Sequence, residues 1–154
     1  MNERLADHLG LIPMFASLAA EELQAIEQYL YFKSVDQGGH VFREGERGDY
    51  LCFVALGNLE VIKFNQEAQP VVISRLAKGS SIGEMALLDR LTRSASVRAA
   101  TPSRLIVLTR ESFDIILAQH PVIGIKILKG IALMLSANLR KTSDRLAEFM
   151  PSLA

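Results

Sequence analysis

Glu84 and Arg93 are the two residues of this chain whose types and spacing could do chemistry together. They stand in the stretch "SIGEMALLDRLTRSASVRA", Ser81 to Ala99, with Gly83 before the acid and Ser94 after the base. Arginine presents a planar fork of N–H donors that matches two oxygens of a phosphate. A short helix opening near Glu84 would add free backbone N–H groups and the positive end of its dipole. Gly83 would let that backbone come close, and Ser94 would add a neutral hydroxyl donor. A carboxylate beside an anion is repulsive unless the ligand also carries hydroxyl donors, as a ribose 2′-OH does. Ala86 and Ala95 would keep the wall thin. The pattern reads as a site for a phosphate with a sugar attached. Each half also has a plainer reading. Gly-Glu ahead of apolar residues is commonly a helix start, and Arg-Ser ahead of a strand is commonly solvated surface.

Other chemistry is poorly supplied. His8, His40 and His120 are scattered, with no neighbour at ligand spacing, so no metal or other cofactor is expected. Neither a serine nucleophile elbow nor a P-loop is present, so no enzyme is expected. Cys52 is the only cysteine and lies in an apolar run. It reads as a small core hydrophobe in a reducing, cytoplasmic compartment.

The elements that must position the pair follow from pattern. The chain has 154 residues, enough for one domain over 1–154, and 49% of them are apolar. Its formal net charge is zero, which argues against nucleic acid as a partner. No signal peptide opens the chain. The apolar tract Val122–Leu139 is broken by Lys126, Lys129, Gly130, Ser136 and Asn138. It reads as a soluble helix, and no membrane partner is expected. Residues 1–29 are expected as helices, Glu3 to Gly10 and Leu18 to Tyr29, the second capped by Ser17. Residues 30–109 carry short β-rich runs: Tyr31–Val35, His40–Arg43, Tyr50–Leu56, Leu59–Phe64, Val71–Leu76, Ser94–Ala99 and Arg104–Thr109. Gly57-Asn58 suits a two-residue hairpin. Residues 110–149 return to a helical period, with Glu111–Gln119 short and a long helix opened by Pro121. Its stripe holds Ile123, Ile127, Leu128, Ile131, Met134, Leu135, Leu139 and Leu146. The fold class is α+β, mainly β, a β-roll with helices at both ends.

The run Gly83-Glu84-Met85-Ala86-Leu87-Leu88, then Arg93-Ser94-Ala95, resembles the phosphate-binding cassette of cyclic nucleotide-binding domains, here spanning 82–95. "LIPMFASLAAEEL" is similar to that family's opening helix. "VFREGERGDYLCFVALGNLEV" carries its glycine turn (Gly45, Gly48, Asp49) and its hairpin glycine (Gly57). The resemblance implies an eight-stranded β-roll of jelly-roll, double-stranded β-helix type, with C-terminal hinge and long helices. It implies that Glu84 takes the ribose 2′-OH and Arg93 the cyclic phosphate, with Gly83, Met85, Ala86, Ser94 and Ala95 completing the cradle. Ile82 departs from the family's usual phenylalanine. Val72 and Ile82 could line the base and sugar pocket, or simply pack the core. The family also implies a long-helix side chain on the purine. Asn138 and Thr142, four apart and on one face, are the candidates, unless they are merely polar positions near the helix end.

The reading that follows is a cyclic purine nucleotide sensor, cyclic AMP ahead of cyclic GMP. It would be a homodimer through the C-terminal helix, signalling to an effector protein. Two alternatives carry less: a ligand-free interaction domain, and a cupin-like metal enzyme, for which His40 has no companion histidine. A DNA-binding activator would need a further module after the long helix, where only "EFMPSLA" follows.

Overall fold

The computed structural model describes residues 4–153. Helix α1 (Leu5–Leu9) leads through a 3-10 turn (Pro13–Phe15) to α2 (Ala20–Ile26) and a second 3-10 turn (Glu27–Tyr29). Eight strands follow: β1 (Leu30–Val35), β2 (His40–Phe42), β3 (Tyr50–Leu56), β4 (Leu59–Phe64), β5 (Pro70–Leu76), β6 (Ser81–Ile82), β7 (Ser96–Ala99) and β8 (Ser103–Thr109). A 3-10 turn, Glu84–Leu87, sits between β6 and β7. Helices α3 (Arg110–Gln119) and α4 (Pro121–Phe149) close the chain.

Two four-stranded antiparallel sheets form the roll, in orders β1-β8-β3-β6 and β2-β7-β4-β5. The first is covered on both faces, which is why β3 and β8 are apolar without alternation. Leu51, Phe53, Ala55, Ile106 and Leu108 pack outward on the helices. Cys52, Val54, Leu105 and Val107 pack inward against the second sheet.

Several sequence expectations change. The seven expected runs are all strands, and Ser81–Ile82 is an eighth, too short to show a period. Gly57-Asn58 is not a hairpin. Its flanking strands β3 and β4 lie in different sheets, so the pair is a corner between them. The Asn58 N–H donates to Thr101 Oγ1 at 3.1 Å and its carbonyl accepts from the Ala100 N–H at 2.9 Å. Ser17 does not cap α2. The N-cap is Ala19, whose N–H donates to the Glu22 carboxylate at 2.9 Å, so the carboxylate at the third helical position does the capping alone. The expected start of the first helix at Glu3 lies outside the described residues.

Helix α4 has two characters. Ile123, Ile127 and Ile131 are buried against α3 and the N-terminal turn, where Gly130 passes so close to the Met14 carbonyl that a Cβ would sit 2.3 Å from it. Lys126 Nζ pairs with Glu22 at 2.7 Å. Beyond Leu135 the helix leaves the core, so Leu139 and Leu146 of the expected stripe are exposed. By length and composition the helix could cross a membrane, Lys126 and Lys129 in its apolar stretch notwithstanding.

Candidate functional site

The expected short helix at Glu84 is the 3-10 turn, and Gly83 precedes it in the left-handed region with φ 79°. That conformation is cheap only for glycine. The Ala86 N–H donates to the Gly83 carbonyl at 2.9 Å and closes the turn. From there the chain loops through Asp89 and Leu91 to Arg93, which returns to the same pocket just before β7. The pocket holds about 220 Å³ and is lined by Ile82, Gly83, Glu84, Met85 and Ala86 on one wall, and by Arg93, Ser94 and Ala95 on the other.

Arg93 is buried, 7% exposed. Its Nη2 donates to the Tyr50 carbonyl at 2.6 Å, while its Nε has no acceptor among the described residues. The guanidinium threads between two glycines: a Cβ on Gly48 would lie 2.5 Å from Nε, and one on Gly83 would lie 2.4 Å from Nη1. Gly48, which reads from sequence as a turn glycine, thus also clears the path of the cation. Burial pushes the Glu84 carboxyl above its ordinary range, opposed by its own backbone N–H and by the charge of Arg93. The pocket therefore sets the Arg93 guanidinium against a carboxyl that burial biases toward its neutral form.

Arg110, the first residue of α3, holds the outer side of the cassette. Its guanidinium donates to the Ala86 carbonyl at 2.8 Å and to the carbonyls of Asp89 and Gly48, the last at 3.0 Å. Of these, the Ala86 carbonyl is one that the short 3-10 turn leaves unpaired at its end. One side chain thus ties the cassette turn, the Gly48 turn and α3 together.

The structure brings together eight of the eleven expected site residues: Ile82, Gly83, Glu84, Met85, Ala86, Arg93, Ser94 and Ala95. Val72 stands 38% exposed on the edge strand β5, away from this pocket. Asn138 and Thr142 line a second, larger cleft of about 760 Å³ between α4, the Pro13–Phe15 turn and the end of β5. The two cavities flank the short strand β6: Ile82 faces the cassette and Ser81 faces the cleft, where its hydroxyl meets the Met134 sulfur at 2.7 Å. The Thr142 hydroxyl donates to the Asn138 carbonyl at 2.9 Å, one helical turn back. Arg75, Lys78, Lys141 and Arg145 make the cleft cationic. Sequence reasoning missed Phe42, Val61 and Val97, which also line the cassette pocket. Val61 and Val97 are direct partners across β4 and β7, a pairing no local signal encodes. Among the described residues no group of three or more His, Cys, Asp or Glu side chains could hold a metal.

Comparison with known proteins agrees with this geometry. Residues 32–120 match the family model described as the cyclic nucleotide-binding domain. The chain is 36% identical over 116 residues to a putative potassium channel protein of Rhodopseudomonas palustris, covering 75% of this chain and 28% of that one. It is 30% identical over 129 residues to the cyclic AMP receptor protein of Thermus thermophilus, covering 84% of this chain and 58% of that one. The chain thus spans less than two thirds of either relative. Among solved structures, a cyclic nucleotide-binding domain from Methylobacillus flagellatus superposes with TM-score 0.84 at 29% identity, covering 98% of this chain and 85% of that one. The catabolite activator protein of Thermus thermophilus gives TM-score 0.79 at 29% identity, covering 89% and 62%. Fold, cassette and sequence thus converge, and the chain belongs to the cyclic nucleotide-binding domain family.

Proposed function

We propose that this chain, over 1–154, is a regulatory module that binds a cyclic purine nucleotide, cyclic AMP ahead of cyclic GMP, and carries no catalytic activity of its own. The observation that carries the reading is Arg93, a buried cation with an unpaired N–H, facing Glu84 across a pocket walled by glycine and alanine. The cyclic phosphate meets Arg93 and the cassette N–H groups, and the ribose 2′-OH donates to Glu84. The purine then lies toward the second cleft, where Asn138 and Thr142 offer amide and hydroxyl groups. A relative named lysophospholipase shares only the part of itself that this chain matches, 8% of its length, so its activity is not carried over.

Signal passes through α3 and α4. Arg110 links the cassette backbone to α3, and α3 packs on α4. The distal half of α4 repeats Leu135, Leu139, Thr142, Leu146 and Phe149 at alternating intervals of four and three. Leu139, Leu146 and Phe149 are 68%, 58% and 84% exposed. That spacing matches a coiled-coil seam, and it supports a homodimer with the two helices side by side; the reading puts that dimer in the cytoplasm, with an effector protein as its partner. Calorimetric titration of the purified chain with cyclic AMP and cyclic GMP tests the reading. Saturable one-site binding supports it, with the tighter nucleotide naming the ligand. No heat with either, at concentrations that saturate an ordinary micromolar site, overturns it.

A further inference from the structure

Arg93 stands buried in the pocket wall. A buried guanidinium needs compensation. Yet among the described residues no carboxylate stands within ion-pair distance of it, and it has a single carbonyl acceptor. What it does have is aromatic rings. Its Cζ lies 3.9 Å from the centroid of Phe42 and 4.8 Å from that of Tyr50. The two rings meet edge to face, 6.3 Å between centroids and 73° between planes. The Tyr50 hydroxyl donates to the Val41 carbonyl at 2.9 Å, which pins its ring. Phe42 and Val41 lie on β2 and Tyr50 opens β3, so the rings come from opposite sheets and converge on one side chain.

We propose that Phe42 and Tyr50 are positioning residues for the ligand site: their rings seat the Arg93 guanidinium inside the pocket, charged and desolvated, before an anion arrives. The electron-rich ring faces attract the cation without using its N–H donors, which leaves the donor edge available. A carboxylate in the same place would neutralise the cation and compete with the phosphate. An aliphatic side chain would fill the space but offer no quadrupole, and the guanidinium would turn toward water at the pocket mouth. Binding would then have to strip that water and order the side chain again. Tyr50 does double duty, since its carbonyl holds Nη2 while its ring attracts Cζ.

The test uses the full chain and two readouts, of which only the second rests on the proposed function. The first is the Arg93 Nε–H resonance in the ligand-free protein, which the seat shifts by ring currents and protects from exchange. The second is affinity for cyclic AMP by calorimetry. Phe42→Leu is expected to lose the shifted, protected resonance and to weaken binding about thirtyfold, the scale of one desolvated cation–π contact. Site-specific fluorination of the Phe42 ring drains its quadrupole at nearly constant shape. It is expected to weaken binding in steps that follow the number of fluorines. A purely structural role for Phe42 predicts no such gradation, and a flat series overturns the proposal. So does a folded Phe42→Leu variant that keeps the resonance. If Phe42→Leu fails to fold, the fluorinated series and Tyr50→Phe, which loses only the pinning hydroxyl and is expected to broaden the resonance, decide. Should the parent protein bind no cyclic AMP, the functional reading falls and the resonance still judges the seat.

Discussion

The cassette pocket and the distal half of α4 are opposite kinds of surface on one chain. Around Arg93 the protein supplies two aromatic rings beside the cation, the carbonyl that holds it and the glycine clearance that admits it. From Leu139 to Phe149 it supplies an apolar row with nothing of its own to cover it. The first region is complete within one chain. The second makes sense only against another surface. On the proposed reading the two are divided: anion capture is built into the folded chain, whereas the consequence of capture is left to an assembly.

That comparison can be broken at the cassette first. Arg93→Ala removes the charged fork, and each charge-assisted hydrogen bond is worth about 1.5–3 kcal/mol. Affinity for cyclic AMP is expected to fall at least tenfold, and more than tenfold if two bonds are lost. Gly48→Ala should approach the same loss without touching a ligand-facing group, because its Cβ would occupy the place of the guanidinium. Calorimetric titration of both variants checks this. A Gly48→Ala protein that binds as the parent does would show that the clearance is unnecessary.

Glu84→Gln is expected to cost about tenfold in affinity, the value of one hydrogen bond to a charged acceptor. A 2′-deoxy analogue should lose as much with the parent protein and nothing further with the variant. The pH dependence has a definite sign. Burial raises the folded-state pKa of Glu84 above its unfolded value of 4.5, so the folded chain binds that proton more tightly. The ionised form accepts the ribose hydroxyl, so affinity declines as pH falls through the raised pKa, and Glu84→Gln flattens the profile. Stability runs the other way. The cost of the buried carboxylate is absent below 4.5 and develops as pH rises through the folded pKa. At neutral pH the ligand-free Glu84→Gln protein should therefore melt higher than the parent, and in acid the difference should close.

The α4 side of the comparison is tested by Leu139→Asp. A charge in the seam should abolish the concentration-dependent mass that a dimer shows in light scattering, leaving the 17.0 kDa chain. Contacts at the cassette are untouched, so affinity is expected to change less than about threefold, unless the partner helix also reaches the purine. A parent protein that stays at 17.0 kDa at high concentration, with and without cyclic AMP, would remove the dimer altogether.

The smallest effect sharpens the contrast chemically. Cys52 lies wholly buried between the sheets, and desolvation pushes its thiol up to about 12. At pH 8 it should resist alkylation in the native protein, since the thiolate is the nucleophile and only about one part in ten thousand is ionised. A second thiol introduced by Leu139→Cys should react readily in dilute protein and more slowly as concentration rises. Equal rates at all concentrations would leave the seam unpaired.

Much of the site could be read in the chain because its parts are close in sequence. Gly83, Glu84 and Ala86 belong to one turn, and Arg93 returns seven residues after Ala86. Turn chemistry and side-chain type are local properties, so their meaning survives without a fold. The strands were legible for the same reason, each a short β-rich run between turn residues. The failures were of pairing. Gly57-Asn58 has the composition of a hairpin turn, yet its strands join different sheets, because hydrogen-bond partners are chosen by topology and not by the turn. Val72 lies on β5, where every residue but Leu76 is exposed, because β5 is an edge, and no local signal says which strand ends a sheet. Asn138 and Thr142 share a helix face as expected, and the packing of α4 directs that face to a separate cleft.

By itself, then, the sequence determined what this protein can hold: a phosphate-matching arginine, a hydroxyl-matching carboxylate and a glycine turn between them. Only the tertiary structure decided how the arginine is held ready. Phe42, Gly48 and Tyr50 reach it from 51, 45 and 43 residues away along the chain. Arg110 grips the back of the same cassette from α3. Contacts of that range depend on which strands pair and which faces turn inward. A buried cation can be stabilised equally well by a carbonyl, a ring or an acid, and residue types alone do not say which will be there.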